Sequence, residues 1–424
     1  MFTKITIWLL SASIVLTVLA ACQQEEPGAE QAVKPGAEVT TSKSVAAVTP
    51  DAATEALNAW LDERYEEALQ FSPMRLTVMG RKDLYDQIDD VSEQAARDQA
   101  AWRVKTVEQL REQFDYDALS NIGKESFDLW VFQAEEAIQG LEFMRQAYLF
   151  GELGGPEDWF PTFLINFHKV DNEADMRAYI ERIGGVSRAM EQVLELAKLR
   201  AADGMRPPRF AYEAAIGRAA KVVTGLPFNG DAGSPLLDDA KGKIQSLVTS
   251  GTVDEDTARE LLAQVGQRLT GQFQPAYTAF IDFLKADIVN ADEQPRGVSA
   301  LRNGEAYYNN QLRIFTTLPM TADDVHRLGL SEVKRIKTEM AVIKDEVNFD
   351  GDMAAFFDFI RTDPRFYYSN TDEGREAYLQ DTREFLSEID GKLPDFFGTL
   401  PKADLVVKRV EAFREVDGGA QHYM

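Results

Sequence analysis

The sequence predicts a mostly α-helical protein, with one large helical domain and a small β element near the C-terminus. Apolar residues recur at spacings of three and four through most of the chain after residue 50, which is the periodicity of helices with one buried face. The breaks between these stretches are short and rich in Gly, Pro, Asn or Asp, as loops are. The one convincing strand pattern is the β-branched run Leu405 to Glu411, which follows the turn at Leu400-Pro401.

Residues 1–22 resemble a bacterial lipoprotein signal peptide. Lys4 precedes an apolar run from Ile5 to Ala21, and Leu19-Ala20-Ala21-Cys22 resembles a lipobox, whose cysteine is diacylated and becomes the new N-terminus. The alternative is an uncleaved membrane helix, for which the apolar run is short. Because Cys22 is the single cysteine of the chain, the mature domain has no internal disulfide and depends on its core for stability.

Residues 23–50 are predicted to form a flexible tether between the lipid anchor and the domain. They are rich in Glu, Pro, Gly, Ala, Thr and Ser, and they lack a periodic apolar pattern. Gln23 follows the cysteine in place of the aspartate that retains lipoproteins in the inner membrane. By this resemblance, we expect an anchor in the cell envelope on the periplasmic face, with the outer membrane favoured over the inner.

The domain from residue 51 to residue 424 divides into helices at its breaks. The first helix carries Leu57, Trp60 and Leu61 and stops at Ser72-Pro73, because the residue before a proline avoids the helical conformation. The main breaks are predicted at Gly151 to Pro161, Leu226 to Pro235 and Asn290 to Arg296. Further helices are predicted at Glu93 to Phe114, Lys124 to Tyr148, Glu173 to Ala202, Pro208 to Val223, Leu237 to Leu247, Asp254 to Ile288, Gly304 to Arg313, Met353 to Arg361 and Asp372 to Asp390.

The strongest helical pattern runs from Thr321 to Asn348. Thr321 and Asp324 have the spacing of a capping box, in which each side chain bonds the backbone N–H of the other residue. One apolar stripe of this helix, which is predicted to be buried, carries Val325, Leu328, Val333, Ile336, Met340, Ile343 and Val347.

Two ionisable residues interrupt this pattern. Glu332 falls inside the apolar stripe, one turn from Leu328 and from Ile336, and His326 lies at its edge. A buried carboxylate needs a partner or a raised pKa, since burying an unpaired charge is costly. One interpretation of Glu332 is a salt bridge between packed helices, and the other is a residue that lines a polar cavity. For His326, a satisfied histidine at the boundary of the core is the alternative to a functional role.

Composition excludes several classes of partner. The 424 residues include 45 basic and 70 acidic side chains, and the resulting formal charge of −25 repels nucleic acid and anionic lipid head groups. The sequence contains no G-x-x-x-x-G-K-[ST] loop, no G-x-G-x-x-G turn and no C-x-x-C pair. A nucleotide-binding protein and a thiolate metal site are therefore not predicted.

The histidines do not form a local metal motif. His168, His326 and His422 are far apart, and no H-E-x-x-H occurs. The aromatic runs are interpreted as packing residues, apart from Tyr307-Tyr308, which precedes the helix of Glu332 and could face the same cavity.

A series of short motifs occurs in a fixed order between about Asp51 and Met424. The most specific is His326-Arg327-Leu328-Gly329-Leu330-Ser331-Glu332-Val333, which follows Thr316-Thr317. The others are Ser72-Pro73 with Thr77 and Gly80, Asp90-Val91-Ser92, Gly204 with Pro207-Pro208-Arg209, Gly304-Glu305-Ala306-Tyr307-Tyr308, Arg361-Thr362-Asp363-Pro364-Arg365-Phe366 and Gly419-Ala420-Gln421-His422-Tyr423. This order resembles the bacterial family known as domain of unknown function 885, which looks related to the zinc peptidases.

The resemblance implies a large helical fold with a small sheet and a zinc-dependent, peptidase-like activity on peptides. In the family, a helix that resembles H-E-x-x-P-G-H follows the equivalent of Tyr423, and it supplies zinc ligands and the general base. We therefore expect this chain to be the N-terminal part of such a protein and to be inactive by itself. His326 and Glu332 are predicted to face the cleft and to support the substrate without ligating zinc. The alternative is a non-catalytic envelope lipoprotein that acts as a binding or scaffold module.

Overall fold

The computed structural model describes residues 49–409, and this part of the chain is built from α-helices without a β-sheet. The mostly α-helical class predicted from the sequence is confirmed. None of the helices in this range is both long enough and apolar enough to span a membrane. The helices are α1 (Pro50–Leu69), α2 (Pro73–Val78), α3 (Glu93–Gln113), α4 (Asn121–Glu142), α5 (Pro156–Phe167), α6 (Glu173–Ala202), α7 (Arg209–Val222), α8 (Pro235–Thr249), α9 (Glu255–Arg268), α10 (Gln274–Asp287), α11 (Gly304–Thr316), α12 (Ala322–Glu346), α13 (Met353–Thr362) and α14 (Asp372–Asp390).

Three predicted helix and loop segments differ from the structure. The predicted helix Lys124 to Tyr148 is α4, which ends at Glu142. The predicted loop Gly151 to Pro161 contains the first half of α5, which begins at Pro156 because a proline is well suited to the first turn of a helix. The predicted helix Asp254 to Ile288 is divided into α9 and α10 by a turn of π-helix, Leu269–Phe273. An inserted π turn leaves the apolar periodicity on both sides intact, so the pattern alone did not reveal it.

The predicted strand from Leu405 to Glu411 is wrong over the residues that the structure describes. Residues 405–409 have no regular secondary structure, and residues 410 and 411 lie outside the described range. A strand needs a partner for its backbone hydrogen bonds, and residues 49–409 contain no sheet that could supply one.

Two compact units divide the chain. In the described residues, the first unit comprises 49–67 and 105–133 and has a small core of its own, in which Trp60 packs edge-on against both Phe114 and Trp130. Thr54 accepts a hydrogen bond from the backbone N–H of Ser120 at 3.0 Å. These contacts join the N-terminal helix to the segment that begins at residue 105.

The second unit comprises residues 68–104 and 134–409, and its core is organised around α6. The helices α5, α9 and α10 and the π turn pack against α6, while α7 packs on α10 and α8 packs on α9. Because α6 has neighbours on several sides, it buries residues around much of its circumference, including Tyr179, Arg182 and Ile183.

The helices α11 to α14 of the second unit have very little core. Within residues 298–409, the buried residues are Gly304, Asn310, Phe356 and Gly374. Large apolar side chains of the same segment are exposed, among them Phe315 at 83% and Phe396 at 78%. The apolar faces of these helices are thus formed as predicted but are not covered by the described residues.

Candidate functional site

The helix α12 carries both residues that the sequence predicts to be functional. Its start is fixed by the predicted capping box. The backbone N–H of Asp324 donates to Thr321 Oγ1 at 3.2 Å, and the backbone N–H of Thr321 donates to Asp324 Oδ2 at 3.1 Å. These two bonds satisfy donors that a helix N-terminus otherwise leaves without an intrahelical partner.

The predicted burial of the α12 apolar stripe is wrong for the described part of the chain. Leu328 is 54% exposed, Val333 is 50% exposed and Ile336 is 39% exposed, and α12 has no buried residue at all. Local periodicity specifies which side of a helix is apolar, but burial also requires a second element to cover that side. Residues 49–409 do not supply such an element.

Glu332 forms an ion pair on the helix surface. Its carboxylate lies 2.7 Å from Arg335, and the same guanidinium lies 2.7 Å from Glu339 on its other side. The side chain of Glu332 is 46% exposed. Within the described residues, Glu332 thus does not form the predicted salt bridge between packed helices, because its partner Arg335 belongs to the same helix and solvent screens the pair.

His326 is exposed near the start of α12 and does not point in the same direction as Glu332. Six residues separate the two, which places them about 120° apart around the helix and about 9 Å apart along its axis. The structure therefore does not bring His326 and Glu332 together. Tyr307, which the sequence suggested could face the same cavity as Glu332, packs its ring against Phe143 with a centroid distance of 6.1 Å.

A buried polar cluster that sequence reasoning missed lies at His168 and Arg182. Arg182 is fully buried in α6 and donates from Nη1 to His168 Nδ1 at 2.9 Å and from Nη2 to Thr77 Oγ1 at 2.6 Å. Burial lowers the pKa of Arg182 to about 10 and that of His168 to about 3. The signal in the sequence was a basic residue between Ile180 and Ile183 on a buried helix.

His168 is chemically saturated in this cluster. A guanidinium has no acceptor, so Nδ1 of His168 must accept the bond from Arg182. The proton of the neutral ring is then on Nε2, which donates to the carbonyl of Asp175 at 3.0 Å. Neither nitrogen keeps a lone pair for a metal ion, which excludes His168 as a ligand in this conformation.

The motif at Ser72-Pro73 has a structural role in the same unit. The Ser72 hydroxyl donates to Asp89 Oδ2 at 2.6 Å, and the backbone N–H of Met74 donates to Asp89 Oδ1 at 2.8 Å. Asp89 thereby ties the start of α2 to the loop that follows this helix. Thr77, another residue of the motif series, contacts Arg182 as described above.

A second buried cluster joins α5, α6 and α8. Tyr179 donates its hydroxyl proton to Asp239 Oδ2 at 2.8 Å, and Lys243 donates to the same oxygen at 2.5 Å. Lys243 also donates to the carbonyls of Leu164 and Ile165 in the last turn of α5. Burial lowers the pKa of Lys243, while the Asp239 carboxylate opposes that change. The cluster therefore caps the C-terminus of α5 with a partly desolvated ion pair.

The described residues do not fit the zinc site that the resemblance implies. Within residues 49–409, no three His, Cys, Asp or Glu side chains are grouped so that they could hold a metal ion. His422 and Cys22 lie outside the described range. No step of a mechanism can be derived from a metal at these residues.

The fold and the motif series define a large helical protein. The profile of the family described as "Bacterial protein of unknown function (DUF885)" matches residues 73–424, and the chain belongs to this family. The fold is similar to the crystal structure of "the putative lipoprotein from Colwellia psychrerythraea", with a TM-score of 0.71 and 17% sequence identity over 83% of this chain. The match covers 61% of that protein, so this chain spans about three fifths of its length. No curated protein matches the sequence.

Proposed function

We propose that this chain is the N-terminal, helical part of a zinc-dependent, peptidase-like lipoprotein of the bacterial cell envelope. Membership of the family and the fold shared with a protein described as a lipoprotein support this proposal. In this proposal, residues outside the described range hold the zinc ion, and α12 faces the cleft in which peptides bind. The exposure of the α12 face that carries Glu332 is the observation on which the proposal depends most.

The exposure of His326 and Glu332 makes their proposed role testable. Because neither side chain is buried in the core, replacing them should leave the free energy of unfolding almost unchanged. The first step is to sequence the source DNA beyond the codon for Met424 and to express the whole reading frame. We expect an H-E-x-x-H-like segment, stoichiometric zinc and hydrolysis of a mixed peptide library.

In that protein, Glu332→Gln and His326→Ala should each lower kcat/KM by about tenfold or more at an unchanged melting temperature. Glu339→Gln is the matched control, since Glu339 pairs with the same arginine at the same distance, two turns along the helix. Full activity in all three variants would show that neither His326 nor Glu332 acts in the cleft. A reading frame that ends without a zinc motif would instead favour the interpretation as a non-catalytic binding module.

The lipid anchor is a separate part of the proposal. Cys22 follows Leu19-Ala20-Ala21, and diacylation of its sulfur would hold the domain at the membrane. Cells fed radioactive palmitate should label the wild-type protein but not a Cys22→Ser variant. Density-gradient separation of the membranes should place the labelled protein in the outer-membrane fraction, and recovery of unlabelled wild-type protein would contradict the anchor.

A further inference from the structure

A groove with a volume of about 540 Å³ runs along α12 on the side that His326 shares. Its lining residues all belong to this helix, so the described residues build one wall of the groove and leave the other open. Leu330 is 59% exposed in it and Val333 is 50% exposed. The lining consists of Leu330, Val333, Lys334, Lys337, Thr338 and Ala341.

The groove lies between two rows of side chains on the surface of α12. Leu330, Lys334 and Thr338 form a row with a spacing of four residues, and Val333, Lys337 and Ala341 form the parallel row. Packing between two helices inserts the side chains of one helix between such rows on the other. From Leu330 to Ala341 the groove is about 16 Å long, or about three helical turns.

The charges of α12 are divided between its two sides. On the side of Glu332, Arg335 is paired with two carboxylates. Within residues 49–409, neither Lys334 nor Lys337 has a carboxylate within ion-pair distance, although the chain carries 70 acidic residues and a formal charge of −25. Two uncompensated ammonium groups beside an apolar floor make the groove locally positive.

We propose that this groove docks an acidic amphipathic helix of a partner polypeptide. The apolar face of the partner would cover Leu330 and Val333, and its carboxylates would pair with Lys334 and Lys337. This is the helix-in-groove mode of recognition, in which apolar anchors supply affinity and complementary charges supply orientation and speed of association.

Two other occupants fit the observations less well. A second copy of this chain in a twofold arrangement would present the same patch to itself, which would place lysines against lysines. An anionic membrane surface would attract the two lysines, but the charge of −25 on the whole chain would repel it. The proposal goes beyond the proposed peptidase function, since neither zinc nor hydrolysis enters it, and it concerns the side of α12 that faces away from Glu332.

The test uses the full chain in detergent and a fluorescein-labelled synthetic helix with leucine at every third and fourth position and glutamate elsewhere. Fluorescence anisotropy should show saturable binding that weakens as salt is added. The double variant Lys334→Glu/Lys337→Glu should bind at least about tenfold more weakly. Leu330→Ala/Val333→Ala should also weaken binding, which separates the apolar floor from the charges.

A matched control places the same charge reversal elsewhere in the second unit. Lys221 in α7 and Lys285 in α10 are exposed, and Lys221→Glu/Lys285→Glu should bind the peptide like the wild type. Circular dichroism of each variant should show unchanged helix content. The proposal is overturned if a peptide with lysine in place of glutamate binds equally well, or if the Lys334→Glu/Lys337→Glu variant binds the acidic peptide as tightly as the wild type. It is also overturned if the wild type forms a concentration-dependent dimer that this variant abolishes. Binding to neutral lipid vesicles in place of the acidic peptide would also overturn it.

Discussion

Nη1 of Arg182 donates to Nδ1 of His168 at 2.9 Å, between two side chains that are almost completely buried. The guanidinium carbon also lies 4.8 Å from the ring centroid of Tyr85 and 5.2 Å from that of Phe163. Within residues 49–409 the charge of Arg182 is thus stabilised by aromatic faces, a neutral imidazole, a threonine hydroxyl and carbonyls, without a direct carboxylate contact.

We expect Arg182→Met to reduce the free energy of unfolding by about 3 kcal/mol, because the variant leaves buried polar groups without their partner. The affected groups are His168 Nδ1, Thr77 Oγ1 and the carbonyl of Gln87. Urea denaturation monitored by circular dichroism measures the loss. Arg177→Met, five residues earlier on α6, is the control. Its side chain is 42% exposed in a surface ion pair with Glu173, so the loss should be below about 1 kcal/mol. Similar small losses in both variants would contradict a special role for Arg182.

The cluster should make stability depend on pH. The pKa of His168 is lowered to about 3 in the folded protein because the ring is buried beside the positive charge of Arg182. In the unfolded chain its pKa is about 6.5. Between these two pKa values the unfolded state binds one more proton than the folded state. The contribution of His168 to the free energy of unfolding is therefore fully present above about pH 6.5, and it decreases by up to about 1.4 kcal/mol per pH unit as the pH falls toward 3.

Urea midpoints at pH 7, 6 and 5 should therefore decrease in the wild type. A His168→Gln variant, which cannot titrate at this position, should show a shallower decrease over the same range, although it starts from a lower stability. Parallel slopes in the two proteins would mean that other groups cause the acid sensitivity.

We expect Lys243→Met to be more destabilising than Tyr179→Phe. The first change removes the cation beside buried Asp239 and the donor to Leu164 and Ile165, and it should cost about 3 kcal/mol. The second removes one hydrogen bond of 2.8 Å and should cost about 1 kcal/mol. Lys241→Met is a control two residues away, where the side chain is 45% exposed and its ammonium lies 3.9 Å from Asp238. An equal loss of unfolding free energy in Lys241→Met would show that a lysine side chain stabilises α8 at either position, without the buried contacts of Lys243.

Replacing two helical glycines by alanine should change the stability of the protein in opposite directions. A Cβ atom at Gly185 of α6 would lie 2.9 Å from Ile88 Cγ1, so Gly185→Ala should destabilise the protein by about 1–3 kcal/mol through overpacking. A Cβ atom at Gly217 of α7 would meet nothing within 4 Å. Gly217→Ala should therefore stabilise the protein by up to about 1 kcal/mol through helix propensity. Thermal melts of the two variants measure both changes, and a stabilised Gly185→Ala would show that Ile88 moves aside at no cost.

The helices were largely predictable from the sequence because their signals are local. The predicted bounds of Glu173 to Ala202 and Asp372 to Asp390 agree with α6 and α14, and the capping box at Thr321 is present. The start of α5 was missed because Gly154 and Gly155 directly precede Pro156 and suggest a loop. The strand at Leu405 was wrong because a β-branched run does not itself provide a partner. Arg182 was missed because its partners lie far away in the chain, at Thr77, Gln87 and His168.

The sequence by itself determined the helical class, the position of the apolar stripe on α12 and membership of the family, since each depends on residue spacing or on a linear order of motifs. The tertiary structure decided which stripes are buried and which ionisable groups meet. Helical periodicity fixes the direction of a side chain relative to its own axis, but burial and pairing require a second element in contact. In α6 such elements are present on several sides and enclose Arg182, whereas on α12 the described residues leave Glu332 and the lysine groove open to solvent.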